Sequence, residues 1–283
     1  MKQKIVRLVL ALFLLHSPTV HACTLWAANG DVVSGDGSLV VKNRDWLPNQ
    51  RASIKMFTPE TGYRYFGLYA SGEIPGLKAG INEKGLVIVS ASVDSIPANN
   101  RRAMPHTKNR ISKLLTACAS VDEVLTKSDL FVGPEILIIA DKQKVATIEI
   151  GPNGLYSATV KQNGFIYHTN HYIDEKLSNF NEKIHQSSRI RYSRIAELLT
   201  ITEKPFSFNT FVSFSNDQND GPDNSIFRSS STLDSVKTVA VWAVHLPPYG
   251  SPQLYVKLLN PGESEQILSL NADDVFNGKM HLE

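Results

Sequence analysis

The sequence predicts an α+β fold in which two mostly antiparallel β-sheets lie between layers of helices. Two observations indicate this fold. Strand-like apolar runs bounded by turn residues dominate the first hundred residues and return between residues 136 and 168. Segments with helical apolar spacing follow each of these blocks, and strand patterns close the chain. This order is expected when two sheets pack face to face and helices cover each outer face.

The first β-rich block contains six predicted strands. Asp36-Gly37-Ser38 forms a turn into the second strand, and a Thr-Gly turn at residues 61–62 joins the third and fourth. Glu83-Lys84-Gly85 has a glycine where a tight hairpin needs positive φ. The predicted strands are Thr24–Ala28, Leu39–Asn43, Ser53–Thr58, Tyr63–Ala70, Leu77–Asn82 and Leu86–Val93.

The rest of the chain alternates helices with further strands. Cys118 ends the first predicted helix, whose apolar spacing indicates that this cysteine is a small core residue. The predicted helices are Lys108–Cys118, Val121–Ser128, Ser188–Thr200 and Phe206–Phe214. The predicted strands are Ile136–Ala140, Ala146–Ile150, Leu155–Val160, Phe165–His168, Val236–His245 and Leu254–Leu259.

Residues 1–22 have the composition of a cleavable export signal. Lys2, Lys4 and Arg7 precede the apolar run Leu8–Leu15, and Val20-His21-Ala22 ends the segment with a small residue. An apolar core of about eight residues is well short of the roughly twenty that span a bilayer, so no stable membrane insertion is expected. We therefore predict cleavage after the alanine and a mature protein that is periplasmic or secreted.

The mature chain is predicted to be one domain, residues 23–283. Removing 22 of the 283 residues leaves 261, which fits one large domain, and the apolar content of 42% supports a sizeable core. Loss of three of the 29 basic residues leaves 26 against 27 acidic ones, a net charge of about −1. Such a chain, with no basic cluster, does not indicate nucleic-acid binding. The sequence leaves the oligomeric state open, a homo-oligomer included.

Cleavage after Ala22 would give Cys23 a thiol and a free α-amine on the same residue. An α-amine titrates near pH ~7.7, so its neutral fraction can accept the thiol proton. A nucleophile with an adjacent base is a known arrangement for acyl transfer. Two alternatives stay open from position alone. Cys23 could be lipidated and tether a non-catalytic binding protein, or it could be structural, with Cys118 as the one available disulfide partner.

Two polar clusters beyond the cysteine could carry chemistry. In VKNRDW, residues 41–46, the carboxylate of Asp45 could hold the Cys23 amine by a charge-assisted hydrogen bond, or it could belong to an exposed strand end. In HTNHY, residues 168–172, Asn170 could donate to a developing oxyanion. The two histidines of this segment lack a third ligand at a recognisable spacing, so no metal site is expected.

A third polar cluster is QSSRIRYSR, residues 186–194, at the start of a predicted helix. Arg189 lies near the helix start and could reach a site. Arg191 and Arg194 are instead expected on the solvated face of the helix.

Five segments, taken in order, resemble the N-terminal-nucleophile (Ntn) hydrolases of the choloylglycine hydrolase and penicillin V acylase superfamily. The most similar branch is the one related to acyl-coenzyme A:6-aminopenicillanic acid acyltransferase. The segments are CT at 23–24, the N-x-D-W pattern from Asn43 to Trp46, GINEKGL at 80–86, TNH at 169–171 and SSRIRYSR at 187–194. The resemblance spans most of the mature chain. It implies a four-layer αββα sandwich and a reaction that needs no metal or organic cofactor.

The resemblance also implies roles for individual residues. Cys23 is the nucleophile, and its own amine is the base. Asp45 holds that amine. Asn170 and a backbone N–H near Ser92 form the oxyanion hole, and Arg189 lies near the nucleophile and its acid partner.

Two positions depart from the pattern of the bile-salt hydrolases. Lys42 stands where they usually have arginine, so a point charge replaces a planar, bidentate fork. Ser92 stands where they tend to have asparagine, which removes a side-chain contribution but keeps the backbone N–H. Both departures weaken the assignment of bile salts as substrates more than they weaken the assignment of Cys23 as the nucleophile that attacks an amide.

The function implied is that of an exported amidohydrolase that cleaves a small-molecule C–N amide bond through a thioester on Cys23. The substrate classes considered are N-acyl amines, penicillin V and conjugated bile-salt-like amides. An acyltransferase that passes the acyl group to an amine is an alternative, but an exported enzyme would meet little coenzyme A. The aromatic residues Trp26, Trp46 and those of Phe57–Tyr69 could line an acyl pocket or belong to the core.

Overall fold

The computed structural model describes residues 22–72 and 75–280, so the predicted signal sequence lies outside the described residues except for Ala22. Most predicted elements are present, with ends moved by at most three residues. The strands are β1 (Cys23–Asn29), β2 (Ser38–Trp46), β3 (Arg51–Phe57), β4 (Tyr65–Ser71), β5 (Gly76–Asn82), β6 (Val87–Ala91), β7 (Glu135–Ala140), β8 (Val145–Ile150), β9 (Tyr156–Lys161), β10 (Gly164–His168), β11 (Lys237–Leu246), β12 (Gln253–Leu258) and β13 (Gln266–Asn271). The α-helices are α1 (Ala98–Ala103), α2 (Arg110–Ala117), α3 (Val121–Leu125), α4 (Glu175–Ser178), α5 (Gln186–Ile201), α6 (Phe208–Ser213), α7 (Gly221–Asn224) and α8 (Ala272–Phe276).

The strands form two sheets in which neighbours pair antiparallel. The first sheet has the order β10-β1-β2-β11-β12-β13, and the second has the order β3-β4-β5-β6-β7-β8-β9. In the second sheet each strand pairs with the next one along the chain, as the predicted hairpins require. The first sheet instead joins the two ends of the chain, because β11 pairs with β2. β1 therefore lies inside the sheet, between β10 and β2.

The two sheets pack face to face over a shared apolar core. The first sheet contributes Leu25, Val40 and Trp242, and the second contributes Phe66 and Val89, all with no exposed surface. The rings of Phe66 and Trp242 meet edge to face, with centroids 6.1 Å apart. Full burial of side chains of this size stabilises the fold by ~1.5–3 kcal/mol each. This layer is the main contact between the sheets.

Helices α2 and α3 cover the outer face of the second sheet. Leu114 of α2 and Val124 of α3 pack with Ile88 and Ile139, which the alternation of their strands turns away from the central core. Cys118, directly after α2, is a buried free cysteine in this cluster. Its prediction as a small core residue is therefore confirmed.

Helices α5 and α6 cover the outer face of the first sheet. Ile195 and Leu199 of α5 and Phe211 of α6 pack against Trp26 and Val41. The ring centroids of Trp26 and Phe211 are 6.3 Å apart, so this tryptophan belongs to the core. The four layers, helices, sheet, sheet and helices, are the predicted αββα sandwich. No helix of the described residues is long and apolar enough to cross a membrane.

The end of the chain contains two elements that the sequence did not predict, β13 and α8. The apolar pattern of β13 is weak because the strand lies at the edge of the first sheet. Its Leu270 is buried, but Ile267 is 51% exposed. An edge strand with a single buried side chain lacks the apolar run that marks a central strand.

Strand alternation decides which way each residue of β2 faces. Lys42 and Arg44 share the face of Val40, toward the second sheet, whereas Asn43 and Asp45 face the helical layer of α5 and α6. In agreement, Lys42 reaches a carbonyl of β6, and Asn43 donates to two carbonyl groups in the helical layer. The VKNRDW segment therefore presents its polar groups on both sides of the sheet, and all of them are buried.

Candidate active site

Cys23 begins β1, and its side chain faces the second sheet at the inner end of a cavity. Ala22 is joined to it here, so the nitrogen of Cys23 is a peptide N–H. That N–H donates to Oδ1 of Asn170 at 2.8 Å. The carbonyl of Ala22 accepts a hydrogen bond from the backbone N–H of Asp45 at 2.9 Å. These two bonds fix the backbone on both sides of Cys23, a residue that is 6% exposed.

The side chain of Lys42 lies directly beside the thiol. Its Nζ is 3.4 Å from Sγ of Cys23 and also donates to the backbone carbonyl of Ser90 in β6. Lys42 is 1% exposed, and this burial lowers the pKa of its ammonium, while the neighbouring Cys23 opposes that shift. A cation at this distance favours the thiolate form of a cysteine. Lys42 therefore links the two sheets and places its Nζ beside the sulfur.

Asn170 follows β10 and uses both ends of its side-chain amide. Oδ1 accepts from the nitrogen of Cys23 and from Nη2 of Arg191, at 2.8 Å and 3.0 Å. Nδ2 donates to the carbonyl of Ser92 at 2.9 Å. The backbone N–H of Asn170 donates to Oγ of Ser188 at 3.1 Å, which anchors the loop to α5. An amide NH₂ has two hydrogens, so one donor remains after the bond to Ser92.

The structure differs from the prediction that the carboxylate of Asp45 holds the nitrogen of Cys23. That nitrogen is bound by Oδ1 of Asn170. Oδ1 of Asp45 accepts from Thr238 at 2.8 Å, and its Oδ2 has no hydrogen-bond partner among the described residues. Burial raises the pKa of this carboxyl, and the positive charges of Arg191 and Arg228 oppose the shift. Asp45 lies on the opposite face of β2 from Lys42, and the two charges that act most strongly on its carboxylate are those of Arg191 and Arg228.

The arginine at the site is Arg191, which corrects the prediction of Arg189. Nη1 of Arg191 donates to the carbonyl of Cys23 at 2.6 Å and to Oγ1 of Thr24 at 2.8 Å, and Nη2 donates to Oδ1 of Asn170. Arg191 is 1% exposed, whereas Arg189 is exposed on the outer side of α5. Arg191 therefore clamps the strand and the loop that together hold the nucleophile.

The periodicity of α5 explains this correction. One stripe of the helix is buried, and a residue one position from that stripe is turned by about 100° toward solvent. Arg194 lies off the stripe, where it pairs with Asp217 at 2.7 Å. Arg191 lies four residues before the apolar Ile195, so the helical period of the sequence contains the signal for its burial. The buried positions of the helix are Ser188, Arg191, Ile195 and Leu199.

A cavity of about 510 Å³ opens from the thiol toward solvent, between the two sheets and the segment of α1 and α2. Trp46, one of the aromatic residues that could line an acyl pocket, lines this cavity. Phe57 is outside the lining, and its ring stacks on that of Tyr65 with the centroids 4.9 Å apart. Among the described residues, the lining includes seven lysines and arginines but a single acid, Glu135. The cavity is therefore strongly basic, although the whole chain is almost neutral.

The histidines of the HTNHY segment hold the loop of Asn170. Nε2 of His168 lies 3.0 Å from a carboxylate oxygen of Glu149, and Nδ1 of His171 lies 2.8 Å from Oγ of Ser188. No group of three His, Cys, Asp or Glu side chains in the described part of the chain is arranged to hold a metal ion. These contacts give both histidines a structural partner.

A family comparison matches most of the chain. The sequence model of the family described as acyl-coenzyme A:6-aminopenicillanic acid acyl-transferase matches residues 32–257. The matched span includes Lys42, Asp45, Asn170 and Arg191 and begins nine residues after Cys23. No curated protein sequence matches the chain with significance.

Two solved structures share the fold at low sequence identity. A variant of the conjugated bile acid hydrolase from Clostridium perfringens matches with a TM-score of 0.54 and 15% identity, covering 89% of this chain and 93% of that one. The penicillin V acylase from Agrobacterium tumefaciens matches with a TM-score of 0.50 and 15% identity, covering 89% and 86%. The four-layer sandwich is therefore the Ntn-hydrolase fold.

Proposed function

Because the chain belongs to the acyl-coenzyme A:6-aminopenicillanic acid acyl-transferase family, we propose that it is an exported amidohydrolase with Cys23 as its nucleophile. The observation that supports this most is the environment of the thiol. It lies at the inner end of a cavity, beside the Nζ of Lys42, on a residue whose nitrogen is held by Asn170. The substrate is a small-molecule amide, as it is in the two hydrolases that share the fold.

The first step of the proposal is removal of residues 1–22. Cleavage converts the peptide N–H of Cys23 into an α-amine at the position where Oδ1 of Asn170 accepts at 2.8 Å. The amine and thiol then belong to one residue, and the neutral amine accepts the thiol proton. The charge of Lys42, 3.4 Å from the sulfur, stabilises the thiolate that results.

Acylation then follows from these positions. The thiolate of Cys23 attacks the amide carbon, and the carbonyl electrons move to the oxygen. The second Nδ2 hydrogen of Asn170 is the donor available to that oxyanion. The α-ammonium protonates the leaving amine as the C–N bond breaks, which leaves a thioester on Cys23.

Deacylation distinguishes a hydrolase from a transferase. In a hydrolase the α-amine takes a proton from water, the resulting hydroxide attacks the thioester, and the thiol is restored with release of the acid. The family description favours a second candidate, transfer of the acyl group to an amine. We favour hydrolysis because an exported protein meets little of the acyl-coenzyme A that the family description names as the acyl donor.

The experiment is turnover of a panel of amides by the purified mature protein, residues 23–283, with release of the amine followed over time. The panel contains penicillin V, conjugated bile salts and N-acyl amines, each with and without an added acceptor amine. We expect amine release from at least one substrate, a mass increase on Cys23 after rapid quenching, and loss of both in Cys23→Ala. Cys118→Ala is the matched control and should keep full activity.

The intact mass of protein from an exporting host tests the first step. An unmodified chain beginning at Cys23 supports the proposal. A diacylglyceryl adduct on the cysteine would support the lipoprotein alternative, and retained activity in Cys23→Ala would exclude the cysteine as nucleophile.

A further inference from the structure

The arginines of the basic cavity differ in whether their guanidinium groups have hydrogen-bond or ion-pair partners. Arg110 donates to three backbone carbonyls and pairs with Glu135. Arg101 pairs with Asp94 at 2.9 Å. Arg44 is the exception, because none of its three guanidinium nitrogens has a hydrogen-bond partner among the described residues, although its side chain is almost completely buried.

An unpartnered guanidinium in this position is costly to the folded protein. Taking a charge out of water costs several kcal/mol unless another group replaces the lost hydration. The ring of Trp46, with its centroid 5.0 Å from Cζ of Arg44, offsets only part of that cost. A buried charged group without a hydrogen-bond partner, in the lining of a cavity, is typical of a ligand-binding position.

Further positive charge surrounds this guanidinium. Lys42 is two residues away on the same face of β2, and Lys78 of β5 lines the same cavity. Burial, followed by the charge of Arg44, lowers the pKa of Lys78 to about 8. Mutual repulsion of this kind is relieved when an anion binds between the cations. Glu135, the one acid of the described lining, is already paired with Arg110.

Resting on the proposed function, we propose that Arg44, with Lys78 beside it, binds a carboxylate of the amide substrate while Cys23 attacks the amide. A guanidinium presents a planar fork that matches the two oxygens of a carboxylate. Arg44 is the direct cross-strand partner of Cys23 in the β1–β2 pair. Paired residues on one face have Cβ atoms about 5 Å apart, so one small substrate can contact both the thiol and the guanidinium.

The test measures binding rather than turnover. Isothermal titration of the mature Cys23→Ala protein uses two carboxylates, N-phenylacetylglycine with the charge on the amine side and glutaric acid monoanilide with the charge on the acyl side. Each is compared with its uncharged primary carboxamide. We expect at least one carboxylate to bind tenfold or more tightly than its carboxamide, and the pair that shows the preference identifies the side of the substrate that carries the charge.

Variants assign this preference to a residue. Arg44→Met should abolish it, whereas Lys108→Met, which removes an equal charge from the exposed rim of the cavity, should keep it. Arg44→Met removes an unpartnered charge and breaks no hydrogen bond to the described residues, so its Tm should equal or exceed that of the parent. A Tm several degrees lower would mean that Arg44 is structural and would overturn the proposal.

The remaining outcomes are also decisive. Equal binding of both carboxylates and their carboxamides, or a preference that survives Arg44→Met, would overturn the anion site. Because the titrated protein lacks the thiol, these results do not depend on catalysis. A carboxylate preference in a protein without amidase activity would support the site and reject the proposed function.

Discussion

One side-chain amide connects the two sides of the candidate site. Oδ1 of Asn170 accepts from the nitrogen of Cys23 at 2.8 Å, and Nδ2 of the same residue donates to the carbonyl of Ser92 at 2.9 Å. The nucleophile of the first sheet and the segment after β6 of the second are therefore held at a fixed separation. A substrate carbonyl bound between them would meet the thiol and the remaining amide hydrogen together.

Asn170→Ala should slow acylation strongly. It removes the donor assigned to the oxyanion, and loss of one such donor typically costs ~2.7–4 kcal/mol, or roughly a hundred- to thousand-fold in rate, with a modest change in substrate binding. Stopped-flow release of a chromogenic amine measures this step. Asn100→Ala, at an exposed asparagine that bonds Glu182, is the control and should acylate normally. Near parental rates in Asn170→Ala would reject the oxyanion assignment.

Lys42→Met should lower the reactivity of the Cys23 thiol. It removes the amine that contacts the sulfur at 3.4 Å, and a cation at that position stabilises a thiolate nucleophile. The rate of alkylation by iodoacetamide, measured as a function of pH in a Cys118→Ala background with one thiol, should fall near neutral pH. Amide turnover near neutral pH should fall by about 10- to 100-fold, as expected for one charge-assisted hydrogen bond.

Lys42→Arg is the matched variant for this experiment, because it keeps the charge but changes its shape. Its alkylation profile should stay close to that of the parent. If the profile were also unchanged in Lys42→Met, the contact would be a packing contact without an electrostatic effect on the thiol.

Arg191→Gln and Arg189→Gln should differ sharply in stability. Arg191 makes three buried hydrogen bonds, to Cys23, Thr24 and Asn170, and hydrogen bonds of a charged group contribute ~1.5–3 kcal/mol each. We expect Arg191→Gln to lower the free energy of unfolding by at least about 3 kcal/mol and Arg189→Gln to change it by less than about 0.5 kcal/mol. Urea unfolding followed by tryptophan fluorescence measures both. Equal values would contradict the placement of Arg191.

His171 should make the protein less stable in mild acid. Burial, with the positive charges of His168, Arg189 and Arg191, lowers the pKa of His171 from 6.5 to about 4. The folded state therefore binds fewer protons than the unfolded state between these values. Stability is fully present above pH 6.5 and is lost as the pH falls toward 4, by up to about 3 kcal/mol.

The measurement is the free energy of unfolding at pH 7 and pH 4.5 for the parent and for His171→Asn. The difference between the two pH values should be smaller in the variant. His106→Asn, at an exposed histidine, should leave that difference unchanged. An unchanged difference in His171→Asn would show that other groups cause the acid sensitivity.

Local periodicity was sufficient to predict most of the fold. The hairpin between β5 and β6 follows from the glycine at position 85, whose φ is 84°, and α5 follows from its apolar stripe. The weak edge strand β13 could not be predicted, because its pairing with β12 depends on contacts distant in the chain. Local sequence patterns predict local elements, and long-range pairing decides whether a marginal segment becomes a strand.

The site was predicted less completely than the fold. The polar clusters and the resemblance both indicate that Asp45 and Asn170 lie near the nucleophile, but neither predicts their contacts. Period-two alternation places Asp45 on the face opposite Lys42 and could have been applied to VKNRDW. A charged residue on a helix is usually exposed, so the sequence predicts Arg191 on the solvated face. Its burial depends on three partners from other segments, and single-sequence patterns contain no information about them.

The packing of Ala22 bears on the order of events in maturation. Ala22 has no exposed surface, and its carbonyl is bonded to the backbone of β2. Proteases cut segments of chain that are accessible and can separate from their surroundings, and a buried residue that is hydrogen-bonded to a strand meets neither condition. If the signal sequence is removed at this bond, as proposed, the protease must cut before β1 and β2 pair and bury Ala22. A chain that folded before cleavage would keep residues 1–22 and would have no free α-amine on Cys23. The rate of folding relative to cleavage would then determine the yield of active molecules.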